Sequence, residues 1–275
     1  MSSQSHDLPS SLILVGAGKM GGSMLEGWLK VGVNPKGVTV VDPRPSDEMT
    51  RFCSEKGIAL NPASVSPADV LVLAIKPQML DEAAPKLNSY IGPQTLIVSI
   101  LAGKTIGDLK ARLPAASAIV RAMPNLPASI GRGATGAATN AEVSEKQRLM
   151  AHALLSSNGI VEWLSSEDLI DAVTALSGSG PAYVFHLVEC LAEAGAAVGL
   201  PRDLAERLAR ATVTGAGELL FQSDLPPGTL RQNVTSPGGT TAAALEVLMA
   251  DPNGLKAMMR DAVAAAKRRA EELAG

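Results

Sequence analysis

Cysteine is nearly absent: Cys53 and Cys190 are the only two among 275 residues. Two thiols without metal-ligand spacing support neither a disulfide framework nor a metal site, so a reducing compartment, the cytoplasm, is expected. Long apolar runs are also missing. Stretches such as residues 70–75 fall far short of the ~20 residues that span a bilayer, and no membrane role is expected. Positive charge is not in excess, since 24 Lys and Arg face 27 Asp and Glu for a net −3. Nothing therefore favours nucleic acid as a partner. Of three histidines, His6 lies in the leading segment, and His152 and His186 fall inside helix-like stretches, where packing or surface roles outweigh a catalytic one. There is no Cys/His cluster and no nucleophile elbow. Residues 1–11 carry no basic start to an apolar core and read as a disordered lead, with no signal for secretion.

The remaining composition, 46% hydrophobic and 19% charged with mean hydropathy +0.18, suits a globular chain, and the length fits about two domains at roughly 150 residues each. Residues 12–15, 38–41, 70–75, 96–99 and 118–120 are short Val- and Ile-rich runs separated by helix-like stretches. Such alternation predicts an α/β fold with a doubly wound parallel sheet, its strands buried on both faces and so continuously apolar. From residue 166 the texture changes to Ala, Leu and Glu at helical spacing, with predicted helices at 181–198, 201–221, 240–249 and 255–273. The expected domains are therefore a dinucleotide-binding Rossmann-type domain over 12–165 and an all-helical domain over 166–275. Abundant Ala, with few aromatics to thicken a core, suggests that the helical half is buried against another copy of itself.

Gly16-Ala17-Gly18-Lys19-Met20-Gly21 follows the first predicted strand directly and opens a helix. In that context Gly16 permits a tight turn, Gly18 lets the backbone approach a pyrophosphate, and Gly21 allows helix and strand to pack closely. Asp42 ends the second strand 24 residues past Gly18, where an acid accepts a ribose hydroxyl and favours NAD(H). Arg44 could instead meet the 2′-phosphate of NADP(H), so either cofactor is compatible; Asp42 could also simply begin the turn at Pro43. Lys76-Pro77 stands at the end of a buried strand, the edge along which such sheets bind ligands. Arg121-Ala122-Met123-Pro124-Asn125 follows a strand and could line the same crevice. Ser177-Gly178-Ser179-Gly180-Pro181 reads as a turn into a helix, a linker or a site element. In Thr235-Ser236-Pro237-Gly238-Gly239-Thr240-Thr241, paired glycines, hydroxyls and a helix start make a nest for a carboxylate. With the usual acid-base residues missing, chemistry carried by a cofactor remains, and hydride transfer qualifies.

Taken in order, GAGKMG, AIKPQ, RAMPN, SGSGPAY and TSPGGTT resemble the pyrroline-5-carboxylate reductase family over residues 12–273. The resemblance implies an N-terminal Rossmann domain, a C-terminal helical dimerisation domain, and homodimers that assemble into larger homo-oligomers, a decamer among them. The implied reaction is reduction of L-1-pyrroline-5-carboxylate to L-proline by NADPH or NADH. It also puts adenosine-side contacts on Asp42 and Asn61, nicotinamide-side contacts on Lys76, Pro77, Ala102 and Asn233, and the substrate carboxylate on Ser236, Gly238, Gly239, Thr240 and Thr241. The Thr241 hydroxyl would meet the ring nitrogen, with Asp224 assisting through water. Leu126 departs from the Thr common in the third motif, residues 249–253 differ from the usual Glu- and Gly-rich link, and Asp42 stands where relatives carry a small polar residue.

Two rivals make different demands. A beta-hydroxyacid dehydrogenase resembles GAGKMG but needs a Lys and an Asn on its catalytic helix, where this chain has Val184 and Val188; aliphatic groups cannot protonate or orient a hydroxyl. A dinucleotide sensor without turnover would need no second anion nest.

Overall fold

The computed structural model describes residues 8–274. Its sheet has eight strands in the order β3-β2-β1-β4-β5-β6-β7-β8. These are β1 (Leu12–Val15), β2 (Val38–Val41), β3 (Ala59–Leu60), β4 (Val70–Leu73), β5 (Leu96–Ser99), β6 (Ala118–Met123), β7 (Gly133–Thr139) and β8 (Gly159–Trp163). All neighbours run parallel except β6 and β7. Helices α1 (Lys19–Lys30), α2 (Asp47–Lys56), α3 (Leu80–Asn88), α4 (Ile106–Arg112) and α5 (Glu145–Ser156) connect the strands.

The alternation of side chains along each strand feeds two cores. Leu12 and Leu14 face a cluster with Met24, Leu25 and Trp28 of α1 and Leu154 and Leu155 of α5. Ile13 and Val15 face Leu80, Ala84 and Leu87 of α3 with Ile106 and Leu109 of α4. Each buried Leu or Ile contributes roughly 1.5–3 kcal/mol. Trp28, fully buried, satisfies its indole by donating to the Leu154 carbonyl at 3.0 Å.

The predicted doubly wound sheet is present, with three strands more than predicted. β3 has two residues. β7 is built from Gly, Ala and Thr because its neighbours leave no room: a Cβ on Gly136 would lie 2.8 Å from the Val173 side chain. Predicted strand 70–75 ends at Leu73, and 118–120 extends to Met123, so Arg121 stands within a strand and not after it.

Two compact units result, one running to Ser179 and taking in the chain from Lys267, the other Gly180–Ala266. The division falls later than residue 165 because α6 (Ile170–Val173) and the π turn Thr174–Gly178 belong to the sheet unit. Ile170 and Ala175 are buried there, and Asn125 donates to the Ser177 carbonyl at 3.0 Å. The second unit contains α7 (Gly180–Ala197), α8 (Arg202–Gln222), α9 (Pro227–Asn233), α10 (Thr240–Leu248) and the first part of α11 (Leu255–Ala274).

Met1 to Asp7, including His6, lie outside the described residues. Residues 8–11, expected as part of a disordered lead, are held in place: the Ser10 amide and hydroxyl and the Ser11 amide all donate to Asp69 Oδ2 at 2.6–3.0 Å. Burial pushes the Asp69 carboxyl up, but these hydrogen bonds outweigh it and hold the group below the usual carboxylate range. Among the described residues no helix is long and apolar enough to cross a membrane.

Candidate active site

The glycine loop joins β1 to α1 at the carboxyl edge of the sheet. Gly16 has φ +91°, and a Cβ there would lie 2.7 Å from the Ala74 carbonyl group. A Cβ on Gly21 would collide with the Gly16 carbonyl oxygen. Both positions are glycine because the fold leaves no volume. Gly18 is different: its φ is −67°, and a Cβ would meet nothing within 4 Å. The fold leaves room for a side chain at Gly18, so internal packing does not account for glycine there.

Gly18 is the N-cap of α1, and no side chain caps that helix and no acid stands in its first turn. By contrast α2, α4 and α5 are capped by Ser46, Thr105 and Ser144. Bare first-turn amides at the positive end of a helix are the natural partners of a phosphate. Lys19 is exposed and Met20 half-buried beside them.

Asp42 is tied to this loop. Its Oδ2 accepts from the Ala17 amide and its Oδ1 from the Arg44 amide, both at 2.8 Å. The second bond is an Asx turn, so the turn-starting role and a place at the glycine loop coexist in one residue. Asn61 closes the arrangement by pairing with the Asp42 backbone in both directions, 2.9 and 2.7 Å, from a left-handed φ of 48°. Ala17, Gly18, Lys19, Asp42, Arg44 and Ser46 help line a cavity of about 440 Å³ between α1 and α2. A second cavity, about 240 Å³, lies on the other side of the sheet against α3 and has Pro43, Asn61 and Tyr90 among its walls. Lys76 and Ala102 are exposed at the ends of β4 and β5, with Pro77 half-buried.

The third motif does not supply a ligand-facing cation. Arg121 is buried and pairs with Glu167 at 2.8 Å and Asp171 at 3.7 Å. Glu167 Oε1 also accepts from the Ile106 amide, so the pair ties β6 to the start of α4. Asn125 bridges the Ala134 amide and the Ser177 carbonyl, and a Cβ on Gly178 would press on Met123 at 2.9 Å. The RAMPN and SGSG motifs thus meet, and what they build is the π turn ahead of α7. Glu167 and Tyr90 were not picked out by sequence: the partners of Glu167 come from distant segments, and the walls of the cavity beside Tyr90 are gathered from several segments, so neither leaves a local pattern.

In the helical unit, Ser236-Pro237-Gly238-Gly239 forms a tight turn, with the Gly239 amide donating to the Ser236 carbonyl at 3.0 Å. Gly238 has φ +67°, and Pro followed by a left-handed Gly is the pattern of a type II turn. The turn leads into α10, which again has no side-chain cap and no acid in its first turn. Thr240 is exposed and Thr241 half-buried at that end; Asp224 and Asn233 are exposed on the same unit. His152 accepts from the Trp163 indole at 3.3 Å on the surface, in keeping with a packing role. No cluster of three or more His, Cys, Asp or Glu suited to a metal occurs among the described residues.

The strand order around β1, a glycine loop at its carboxyl edge and an acid-anchored β2 end define a dinucleotide-binding protein of Rossmann type. Residues 167–273 match the family model described as pyrroline-5-carboxylate reductase dimerisation, and 11–103 match one described as NADP oxidoreductase, coenzyme F420-dependent. A pyrroline-5-carboxylate reductase of Pseudomonas aeruginosa is 41% identical over 96% of both chains, and one of Glycine max 35% over 96% of both. The solved reductase of Coxiella burnetii, 36% identical, superposes with TM-score 0.89 over 97% of this chain and 99% of that one. A Plasmodium falciparum reductase with NADP bound, 28% identical, gives 0.78 over 96% and 98%. The chain belongs to the pyrroline-5-carboxylate reductase family, whose reaction is the NAD(P)H-dependent reduction of L-1-pyrroline-5-carboxylate to L-proline.

Proposed function

We propose that NADPH is the preferred reductant, with NADH accepted less well, and that the sequence-derived site residues divide the work as follows. The pyrophosphate rests on the loop Gly16, Ala17, Gly18, Lys19, Met20 and Gly21, where Gly16 and Ala17 shape the turn with amides spent on Val41 and Asp42 and the first-turn amides from Gly18 onward face the phosphates; the observation that carries this is the space above Gly18, which a side chain could fill without touching the fold. Lys19 and Arg44, lining the larger cavity beside Ser46, attract the 2′-phosphate. Asp42 acts through the loop amide it holds, while its charge tempers the preference for the phosphorylated cofactor. Asn61 orients Asp42 on the adenosine side. Lys76, Pro77, Ala102 and Asn233 serve the nicotinamide side.

The bound dinucleotide supplies a hydride. Reduction of the cyclic imine adds that hydride to carbon and a proton to nitrogen, and a nitrogen protonated beforehand makes the carbon electrophilic. The chain then needs chiefly to orient the ring. The Ser236 hydroxyl and the Gly238 and Thr240 amides at the uncapped start of α10 hold the carboxylate, with Gly239 closing the turn beneath it. The Thr241 hydroxyl fixes the ring nitrogen, and Asp224 assists its protonation through water.

Oligomerisation follows from the helical unit. α7 and α10 contain no buried residue despite their apolar sequences, and Phe185, Leu191, Leu208 and Leu219 are exposed. Such surface calls for a partner, and a homodimer through this unit, able to build larger homo-oligomers such as a decamer, satisfies it. The two free cysteines fit a cytoplasmic setting.

The test is the loss of nicotinamide absorbance with NADPH and, separately, NADH on adding pyrroline-5-carboxylate, with proline assayed as product. Faster oxidation of NADPH supports the proposal. Equal rates, or faster NADH, would sink the cofactor preference; binding of nucleotide without any imine-dependent oxidation would return the sensor.

A further inference from the structure

The cavity against α3 holds an unexplained polar group. Tyr90 is 3% exposed and lines this cavity, and its hydroxyl has no hydrogen-bond partner in the protein. A buried hydroxyl left unpaired is destabilising, so its persistence asks for a partner. Much of the rest of the wall is apolar, with Val15, Val41, Ile75, Met79 and Leu87; Asn61 and Pro43 stand on the β2 side, and Glu82 and Lys86 of α3 also line it. Asn61 is the residue that pairs with the Asp42 backbone, so the cavity is contiguous with the adenosine-side anchor and lies on the β2 side of the glycine loop. A flat heteroaromatic ring with hydrogen-bonding edges suits such a space, with apolar walls for its faces and the Tyr90 hydroxyl for an edge.

We propose that Tyr90 is a specificity residue for the cofactor's purine, its hydroxyl pairing with a nitrogen at the ring edge, directly or through one trapped water. The inference rests on the reading of the glycine loop as the pyrophosphate site. Tyr90 reads the base and takes no part in hydride transfer, so it sets affinity for the adenosine end and leaves the reacting end alone.

Tyr90→Phe removes one oxygen and keeps the ring in the core. With the orphan hydroxyl gone, the nucleotide-free variant is expected to melt at or above the temperature of the parent, while its NADPH dissociation constant, read by nicotinamide fluorescence, rises about 3–10-fold, the size of one lost hydrogen bond. Turnover with reduced nicotinamide mononucleotide, which has no purine, is expected to be unchanged. The preference for NADPH over its hypoxanthine analogue is expected to shrink. Unchanged NADPH affinity and unchanged purine discrimination would overturn the proposal while leaving the glycine-loop reading intact. Failure of the parent protein to bind NADPH at all would overturn both. A variant destabilised without nucleotide would also overturn the proposal, because the hydroxyl would then be serving the fold.

Discussion

Trp28, fully buried in the sheet unit, and Phe185, 57% exposed in the helical unit, mark two ways of handling a large apolar side chain. The sheet unit encloses its own: both faces of β1, β2, β4 and β5 are covered by helices of the same unit. The helical unit encloses few; α8 buries Ala205 and Ala209, and α7 and α10 bury nothing. The difference assigns their tasks. A self-contained sheet can present a rigid glycine loop, whereas the helical unit, which matches the family's dimerisation model, leaves open the apolar surface on which the proposed second copy would pack.

The sharpest way to break that comparison is Gly16→Ala, which forces a side chain into a left-handed backbone against Ala74. It is expected to cost more than about 1 kcal/mol of stability and to abolish NADPH binding, as read by thermal melting and fluorescence titration. Gly18→Ala is its control. With open space around it, this variant should melt like the parent yet bind NADPH at least about 10-fold more weakly, because only the ligand needs the room. Thr241→Val, on the other unit, should lower kcat by about 10–100-fold, the range of one hydrogen bond to a charged group, with NADPH affinity unchanged. Equal loss of both would indicate misfolding. Asp42→Ser should raise the NADPH-to-NADH ratio of kcat/KM by about 3–10-fold, by removing repulsion of the 2′-phosphate, and loosen both cofactors slightly through the lost Ala17 contact.

The last effect is on stability and concerns the sheet unit alone. Asp69→Asn should cost about 1–2 kcal/mol near neutral pH. Because the Asp69 carboxyl is held below its ordinary value in the folded chain, its contribution is fully present above about pH 4 and is lost as pH falls through the folded value. Denaturant melts of parent and variant should therefore converge in acid; a constant gap would mean that the Asp69 charge is not what holds Ser10 and Ser11.

What was legible in the sequence follows from the same contrast. β1, β2 and β5 carry continuous apolar runs because both of their faces are buried, and their limits match the predicted ones. β7 escaped notice because close packing against Val173 and Ala128 requires Gly and Ala where a strand normally shows branched residues. The glycine loop was readable from spacing, since local backbone geometry dictates it. The double role of Asp42 was not, because its partners Ala17 and Asn61 lie 25 and 19 residues away. Arg121 drew attention as a possible crevice residue, and only the fold reveals Glu167 and Asp171 beside it.

The most direct test of the central claim is the mass of the particle in solution by light scattering, for the parent and for Phe185→Glu. If the helical unit is completed by a second copy, the parent should weigh an even multiple of 28.2 kDa, and the variant should fall toward one copy with its cofactor affinity retained. A parent that stays at 28.2 kDa while reducing pyrroline-5-carboxylate at full rate would contradict the account.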